Sequence, residues 1–265
     1  MRVVVKVGSS TLSHKTGRLN IRLVEALCKT LADIKNAGND IILVSSGAIA
    51  MGVGKLNLPC RPADIPGKQA AAAVGQCELM YVYDKLFSTY HHVVGQMLIT
   101  GDDLADKMRS ANFDNTLARL LELGVIPIIN ENDTVATIEL ENKENSNTIG
   151  DNDTLSTIIA VHCKADLLVL LSDIDGLYTA DPHKDANAQL IHTVESITPE
   201  ILALAGGSAG GQGTGGMATK VAAAQCAVAH GIPMVIANGA DPAVLYDIVD
   251  GRPVGTRFIP QEVCV

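Results

Sequence analysis

The chain has 265 residues and a formal net charge of -9; 47% of the residues are hydrophobic, 18% are charged and only 3% are aromatic. This composition indicates a globular protein with a sizeable core and argues against intrinsic disorder. A negative charge with few aromatic side chains argues against a nucleic-acid partner. No apolar run reaches the roughly 18 residues of a membrane span, and the N-terminus shows no signal-peptide pattern. We therefore expect a cytoplasmic protein with no membrane partner.

In chain order, apolar runs of strand length alternate with longer segments of helical period. Strands are predicted at Arg2–Val7, Asp40–Val44, His92–Ile99, Val125–Ile129, Asp166–Leu171, Pro233–Ala237 and Thr256–Ile259. Helices are predicted near Ile21–Asn36, Lys68–Ser88, Asn112–Leu123, Asp153–His162 and Met217–His230. This alternation predicts an α/β fold, a three-layer αβα sandwich around a mostly parallel central sheet.

Some residues are assigned to folding and not to chemistry. Gly38, Gly124 and Gly231 each follow a helical pattern, where a left-handed C-terminal cap is needed. The six cysteines form no CxxC pair and no metal-ligand spacing, so we expect them to be reduced and mostly buried. The histidines form no metal pattern either, and no metal-ligating residue is predicted.

Polar segments follow four of the predicted strands at the point where each strand ends. They are Gly8-Ser9-Ser10, Ser45-Ser46-Gly47-Ala48, Asn130-Glu131-Asn132-Asp133 and Ser172-Asp173-Ile174-Asp175-Gly176. Open α/β sheets bind ligands at the carboxyl ends of their strands, and glycine lets backbone N–H groups approach an anion. One such loop is equally typical of an ordinary tight turn, but several at one sheet edge favour a ligand site.

Lys6 stands in a strand otherwise made mostly of valine, where an unpaired ammonium group would be costly to bury. Two interpretations fit this position. Lys6 is either an edge-strand lysine that reaches solvent or a lysine that contacts phosphate. Its place beside the Gly8 turn favours the phosphate contact.

A glycine-rich segment, Gly206–Gly216, leads into the helix predicted from Met217. Backbone N–H groups at such a helix start bind anions, and Lys220 adds a positive charge there against the helix dipole. A highly charged ligand would explain that conflict; the alternative is a flexible loop with a solvent lysine. The P-loop pattern GxxxxGK[ST] is absent, and the GxGxxG spacing at Gly211–Gly216 follows no strand, so neither standard nucleotide motif applies.

A third polar cluster, Gly150-Asp151-Asn152-Asp153, stands at a predicted helix start. It follows a segment, Thr134–Gly150, whose pattern indicates a hairpin or lid. One Asp or Asn is needed as the helix N-cap, so either all three are structural or two have another role. A carboxylate here is able to orient two lysines around a transferring phosphoryl group.

Six motifs together resemble the amino-acid-kinase family and, within it, the glutamate 5-kinase branch. They are VKVGSSTL (Val5–Leu12), VSSGAIAMG (Val44–Gly52), NENDTVA (Asn130–Ala136), GDNDTLS (Gly150–Ser156), SDIDGLYTADP (Ser172–Pro182) and GTGGMATK (Gly213–Lys220). The fifth motif is typical of the wider family, which includes acetylglutamate, aspartate, carbamate and uridylate kinases. The third and fourth motifs together are much more specific to the glutamate branch.

The resemblance implies a role for individual motif residues. Lys6, Asp153 and Lys220 would be catalytic, with Asp153 holding the two lysines in position. The nucleotide would be bound by Lys6, Ser172, Asp173, Thr214, Gly215, Gly216, Met217, Ala218, Thr219 and Lys220. Glutamate would be bound by Ser46, Asp133 and Asn152.

The resemblance also implies a reaction, in which ATP with Mg²⁺ phosphorylates the side-chain carboxylate of L-glutamate in the first step of proline biosynthesis. Proline as a feedback inhibitor and a homo-oligomeric assembly are expected from the family. Residues 1–265 are expected to form one domain, with substrate bound by its N-terminal half and nucleotide by its C-terminal half, and no PUA domain. The alternatives are another small-molecule kinase of this fold, acting on acetylglutamate or aspartate, and a non-catalytic nucleotide or amino-acid sensor.

Overall fold

One sheet forms the centre of the protein, whose computed structural model describes residues 1–14, 16, 18–136, 151–182, 184–206 and 216–261. Its eight strands lie in the order β3-β4-β2-β1-β5-β7-β8-β6. Their bounds are β1 Arg2–Val7, β2 Asp40–Ser45, β3 Val94–Ile99, β4 Ile126–Glu131, β5 Leu167–Ser172, β6 Thr193–Val194, β7 Met234–Asn238 and β8 Thr256–Phe258. Paired strands run parallel except β7 and β8, which are antiparallel. The prediction of a mostly parallel sheet is confirmed.

Helices cover both faces of this sheet. Within the described ranges they are α1 Ser9–Leu12, α2 Ile21–Asn36, α3 Ala48–Lys55, α4 Ile65–Ser88, α5 Gly101–Ala105, α6 Lys107–Glu122, α7 Asn152–His162, α8 Pro199–Ala205, α9 Met217–Ala229 and α10 Val244–Val249. Helices α2, α4 and α10 contribute to one hydrophobic cluster, and α6, α7 and α9 contribute to the other. The predicted three-layer sandwich is therefore confirmed. No helix in these ranges combines the length and apolar character that crossing a bilayer requires.

Strand β1 is the interior strand that joins the two layers. Its side chains alternate between the two hydrophobic clusters, with Val3 and Val5 in one and Val4 in the other. It pairs with β2 on one side and with β5 on the other. Lys6, which is 8% exposed, therefore stands in an interior strand. The edge-strand interpretation of Lys6 is wrong, and the buried ammonium group needs a partner.

Strand ends agree with the predictions to within two residues, whereas helix starts agree less well. Helices α4 and α6 begin earlier than predicted because Asp64 and Asp106 accept backbone N–H bonds upstream of the periodic pattern. The short helices α1, α3, α5, α8 and α10 and strand β6 are not among the predicted elements. Such short pieces lack the several turns from which a hydrophobic period is read.

The glycine and cysteine expectations have different outcomes. The left-handed caps are confirmed, since positive φ angles occur at Gly38, Gly124 and Gly231. The described cysteines are free: Cys28 and Cys163 are buried, whereas Cys60, Cys77 and Cys226 are exposed. The expectation of mostly buried cysteines is wrong, because two of the exposed ones lie on the outward faces of α4 and α9.

Helices α3 and α4 cross closely because each presents a glycine to the backbone of the other. A Cβ atom on Gly52 would lie 1.8 Å from the carbonyl oxygen of Ala71. A Cβ atom on Gly75 would lie 1.8 Å from the carbonyl oxygen of Ala48. A larger residue at either position would push the helices apart. The crossing therefore fixes the start of α3, and with it the loop after β2, against α4.

Candidate functional site

The carboxyl ends of β1, β2, β4 and β5 open onto a cavity of about 460 Å³. This is the sheet edge at which the sequence predicts a ligand site. The cavity wall includes the predicted residues Lys6, Ser46, Asp133, Asn152, Asp153, Ser172, Asp173 and Lys220. The fold thus brings together motifs that are spread along the whole chain.

Lys6, Asp153 and Lys220 form a charged centre in the wall of this cavity. Lys6 Nζ lies 2.7 Å from Asp153 Oδ1, and Lys220 Nζ donates to Asp153 Oδ2 over 3.1 Å. Thr219 Oγ1 also donates to Oδ2, over 3.2 Å. Asp153 is only 2% exposed, and both lysines are buried as well. Two ammonium groups share one carboxylate, so the charged centre carries one net positive charge.

Three elements bring these charges together. Lys6 stands near the carboxyl end of β1, while Asp153 and Lys220 stand in the first turns of α7 and α9. Asp151 caps α7 by accepting the N–H bond of Thr154, so Asp153 is not needed as a cap. The dipole of α7 also favours a negative charge in its first turn. The local sequence therefore supplies one carboxylate, Asp151, to cap the helix and a second, Asp153, to pair with the lysines.

The protonation state of Asp153 follows from its surroundings. Burial alone would raise the pKa of this carboxyl group, because the ionised form loses hydration. The ammonium groups of Lys6 and Lys220 outweigh that effect, and the pKa of Asp153 lies below its ordinary value. The side chain is therefore ionised at neutral pH and keeps both lysines in one place.

Neutral side chains form a hydrogen-bonded series beside the charged centre, which we name the amide chain: Ser46, Asn152, Asn130 and Gln76. Asn152 Nδ2 donates to Ser46 Oγ over 2.5 Å and to Asn130 Oδ1 over 3.3 Å. Asn130 Nδ2 donates in turn to Gln76 Oε1 over 3.0 Å. The amide chain connects the loop after β2 with the start of α7, the end of β4 and the middle of α4.

Glycine occupies the N-cap of three helices near the motifs. The caps of α1, α3 and α9 are Gly8, Gly47 and Gly216, and none of them makes a side-chain cap bond. Six other helices begin with a side chain that accepts a backbone N–H bond; the capping residues are Asn20, Asp64, Thr100, Asp106, Asp151 and Thr198. N–H groups at an uncapped helix start are able to bind an anion.

The remaining predicted residues have separate outcomes. Gly216, Met217, Ala218 and Thr219 precede Lys220 at the start of α9, whereas Thr214 and Gly215 lie outside the described residues. The hairpin or lid predicted for Thr134–Gly150 falls mostly on residues 137–150, which also lie outside them. Ser172 Oγ donates to Asp173 Oδ1 over 3.2 Å just after β5. The nucleotide and glutamate roles of all these residues remain predictions.

Arg61 and Gln76, at or beside the cavity, are not among the predicted site residues. Arg61 lines the cavity from the loop between α3 and α4, and Gln76 on α4 is 7% exposed. A single arginine in a loop carries no readable pattern. Gln76 did offer a signal, because it shares a helix face with the buried Ala72 and Leu79. A polar residue on the core face of a helix indicates a bonded partner inside the protein.

The sequence matches the model of the Amino acid kinase family over residues 1–238. A protein named glutamate 5-kinase from Clostridium tetani (strain Massachusetts / E88) is 52% identical over 256 residues, with 97% of this chain and 93% of that protein covered. Another of the same name, from Carboxydothermus hydrogenoformans, is 53% identical over 262 residues, with 98% of this chain and 68% of that protein covered.

Two solved structures share this fold at low sequence identity. UMP kinase from Bacillus anthracis has a TM-score of 0.65 and 16% identity, with 98% of this chain and 96% of that chain covered. Carbamate kinase from Giardia lamblia, solved with AMP-PNP, has a TM-score of 0.66 and 16% identity, with 97% and 98% covered. At this identity the likeness concerns the fold alone.

Proposed function

The chain belongs to the amino acid kinase family, and from this premise we propose that it transfers the γ-phosphoryl group of ATP to the side-chain carboxylate of L-glutamate. The product would be L-glutamyl 5-phosphate, the first intermediate of proline biosynthesis. Relatives named glutamate 5-kinase, at 52% and 48% identity over nearly the whole chain, support this activity. One structural observation carries the proposal: two lysines meet on one buried carboxylate at the carboxyl ends of the strands.

Phosphoryl transfer to a carboxylate needs no general base. The glutamate side chain has a reference pKa of about 4.3 and is already ionised near neutral pH. The barrier comes instead from the approach of two anions, the carboxylate and the terminal phosphate. Positioning and charge neutralisation must therefore supply the catalysis.

Lys6 and Lys220 would supply that neutralisation. Their ammonium groups stand at opposite oxygens of Asp153, at 2.7 and 3.1 Å. Charges fixed in this way stabilise a transition state without rearranging during the reaction. Asp153 would not touch the phosphoryl group. It would hold the two lysines side by side and offset their mutual repulsion.

The acceptor would bind between Asp133, the amide chain and the start of α3. Asp133 lines the cavity and would pair with the α-ammonium group of glutamate through a charge-assisted hydrogen bond. The hydroxyl group of Ser46 and the N–H groups after Gly47 would receive a carboxylate. Gly47 has a φ of 101°, which glycine adopts without strain and which aims the start of α3 into the cavity.

The nucleotide would lie toward β5 and α9. The phosphates would contact the uncapped start of α9 and the turn at Gly8, with Ser172 and Asp173 contributing from the end of β5. A Cβ atom on Gly8 would lie 3.7 Å from Lys6 Nζ. Glycine at this position therefore leaves room beside the ammonium group for a phosphate oxygen.

Mg²⁺ would arrive with the nucleotide. Among the described residues, no group of three His, Cys, Asp or Glu side chains is arranged to hold a metal ion. Asp151 and Asp173 do line the cavity, and Mg²⁺ is commonly held by one or two carboxylates together with phosphate oxygens and water. These residues fit a nucleotide-bound Mg²⁺, which would neutralise phosphate charge.

Several further expectations come from the family. The placement of Ser46 and Asp133 against Ser172 and Lys220 supports substrate binding by the N-terminal half and nucleotide binding by the C-terminal half. Proline feedback, homo-oligomeric assembly and a cytoplasmic location stay predictions.

Coupled ADP release with a panel of acids tests the proposed reaction. We expect turnover with L-glutamate and little with L-aspartate or N-acetylglutamate. Trapping with hydroxylamine should yield the hydroxamate of the side-chain carboxyl group, which separates acyl phosphate formation from ATP hydrolysis. Selective turnover of another acid would establish a different kinase of the same fold. Binding of ATP and glutamate without turnover would establish a sensor.

A further inference from the structure

We propose that Gln76 is a positioning residue that sets the polarity of the amide chain, so that Asn152 presents its carbonyl oxygen to the α-ammonium group of the acceptor. This inference rests on the proposed function and assigns a cause to its specificity. Gln76 lies in the middle of α4 and is not in the wall of the cavity. It would therefore act through Asn130 and Asn152 and not by touching substrate.

The geometry follows from the hydrogen-bonding capacity of an amide. An asparagine amide has two N–H groups and one carbonyl oxygen. Both N–H groups of Asn152 are used, one on Ser46 Oγ at 2.5 Å and one on Asn130 Oδ1 at 3.3 Å. The carbonyl oxygen, Oδ1, is the polar group that remains. Because Asn152 lines the cavity, this oxygen is available to accept a bond from a ligand.

The bonds of the amide chain run in one direction, and Gln76 is the acceptor at its end. Gln76 Oε1 accepts from Asn130 Nδ2 over 3.0 Å, which leaves Asn130 Oδ1 as the acceptor for Asn152. Rotating all three amides, that of Gln76 included, by 180° would reverse every bond in the series. Asn152 would then present N–H groups to the cavity and would repel an ammonium group. An acceptor at position 76 therefore favours an amine, and a donor there favours a carbonyl or carboxylate.

The cost of keeping glutamine at this position supports a role in recognition. Gln76 is 7% exposed, and its Nε2 atom has no hydrogen-bond partner among the described residues. A buried N–H group without a partner is unfavourable, and leucine or methionine would fill a similar space without it. Packing of α4 alone does not explain a side chain that retains an unbonded donor.

Two substitutions at position 76 separate positioning from packing. Gln76→Met keeps the length of the side chain and removes the acceptor. Gln76→Glu keeps an acceptor oxygen toward Asn130. For each variant, kcat/KM is measured with L-glutamate and with glutarate, which is glutamate without its amino group. KM for ATP and the melting temperature are recorded alongside.

We expect Gln76→Met to lower the ratio of kcat/KM for glutamate to that for glutarate by about 10-fold, the loss typical of a misdirected hydrogen bond in a binding site. KM for ATP and kcat/KM for glutarate should change by less than about 3-fold. Gln76→Glu should keep the ratio within about 3-fold of the wild type. If the methionine variant does not fold, Gln76→Asn withdraws the acceptor by one methylene group and takes its place.

If the ratio of kcat/KM for glutamate to kcat/KM for glutarate stays unchanged in Gln76→Met, the inference is overturned. This includes an equal loss of kcat/KM with both acids, because a purely structural role lowers activity toward both substrates together. Loss of the ratio in Gln76→Glu as well would also contradict it. Wild-type protein that does not turn over L-glutamate would overturn the proposed function itself. Turnover with an unchanged ratio would remove only the role of Gln76.

Discussion

The charged centre and the amide chain meet at two successive residues but are held together by different kinds of interaction. Asp153 belongs to the first and Asn152 to the second, both in the first turn of α7. In the charged centre, one carboxylate offsets two ammonium groups, and the geometry is held by attraction between opposite charges. In the amide chain, no formal charge is present, and order comes from the direction of each donor and acceptor.

One helix start therefore serves two tasks. A transferring phosphoryl group carries several negative charges and needs fixed cations. Buried lysines remain cations only when they are paired with a carboxylate. An amino acid must be distinguished by the placement of its amino group, for which directional neutral groups serve better than charge alone. Variants of the charged centre should therefore affect chemistry, and variants of the amide chain should affect acceptor recognition.

The largest effect is expected from Asp153→Asn, which removes the buried carboxylate that Lys6 and Lys220 share. Removing one partner from a buried ion pair typically lowers the free energy of unfolding by about 3 kcal/mol or more. Urea denaturation at neutral pH measures this loss. Glu122→Gln serves as the control, since it breaks the exposed pair with Arg119 and should cost less than about 1 kcal/mol. Equal losses in the two variants would show that the charged centre is not electrostatically coupled.

Lys220→Ala should lower kcat by at least about 100-fold, because one of two charges that stabilise the transferring group is lost. Steady-state ADP release at saturating glutamate measures the change. The matched control is Lys55→Ala, which breaks the exposed ion pair with Glu78 and should leave kcat within about 2-fold. A rate for Lys220→Ala close to that of the control would refute the role of Lys220 in the transfer step.

Gly75→Ala should weaken acceptor recognition by disturbing the packing of α3 against α4. The added Cβ atom would meet the carbonyl oxygen of Ala48 and push α3 away from α4. Overpacking of this kind costs about 1–3 kcal/mol of unfolding free energy, and displacement of the loop after β2 should raise KM for glutamate more than KM for ATP. Gly206→Ala is the control, because its nearest contact would be 3.4 Å away. A rise in KM for ATP alone would contradict this account.

The smallest effect concerns pH. The pKa of Asp153 is lowered in the folded protein, so its contribution to stability is complete above the unfolded value of about 3.9 and is lost as pH falls through the folded value. The stability difference between wild type and Asp153→Asn should be constant from about pH 6 to 8 and should narrow below about pH 4. Denaturation series at fixed ionic strength provide the measurement. A difference that narrows between pH 6 and 8 would mean that another group dominates.

The two regions also differ in how far the sequence predicts them. The strands are predictable because unbroken Val, Ile and Leu runs leave few alternatives, and β1 has the predicted bounds. The meeting of Lys6 with Lys220 was predicted from glycine-rich helix starts and from the resemblance. Excluding the edge-strand alternative for Lys6 required the strand order, which a single sequence does not contain. The roles of these lysines await the measurements described above.

The amide chain was only half predictable. Asn152 and Ser46 lie in motifs, whereas Gln76 lies in an alanine-rich helix and reaches Asn130 only through the tertiary fold. Helix α3 was missed because AIAMGVGK contains two glycines, which oppose helix formation locally. Its packing against α4, which depends on Gly52 and Gly75, overrides that propensity. The contact between α3 and α4 has no signature in a local pattern.

The most direct test measures kcat and KM for L-glutamate of Lys220→Ala and Gln76→Met side by side in one assay. Our account predicts that the first variant loses kcat by about 100-fold with KM for glutamate nearly unchanged. It predicts that the second variant raises KM for glutamate by about 10-fold with kcat nearly unchanged. If both variants alter the same constant to a similar extent, the separation of phosphoryl transfer from acceptor recognition is contradicted.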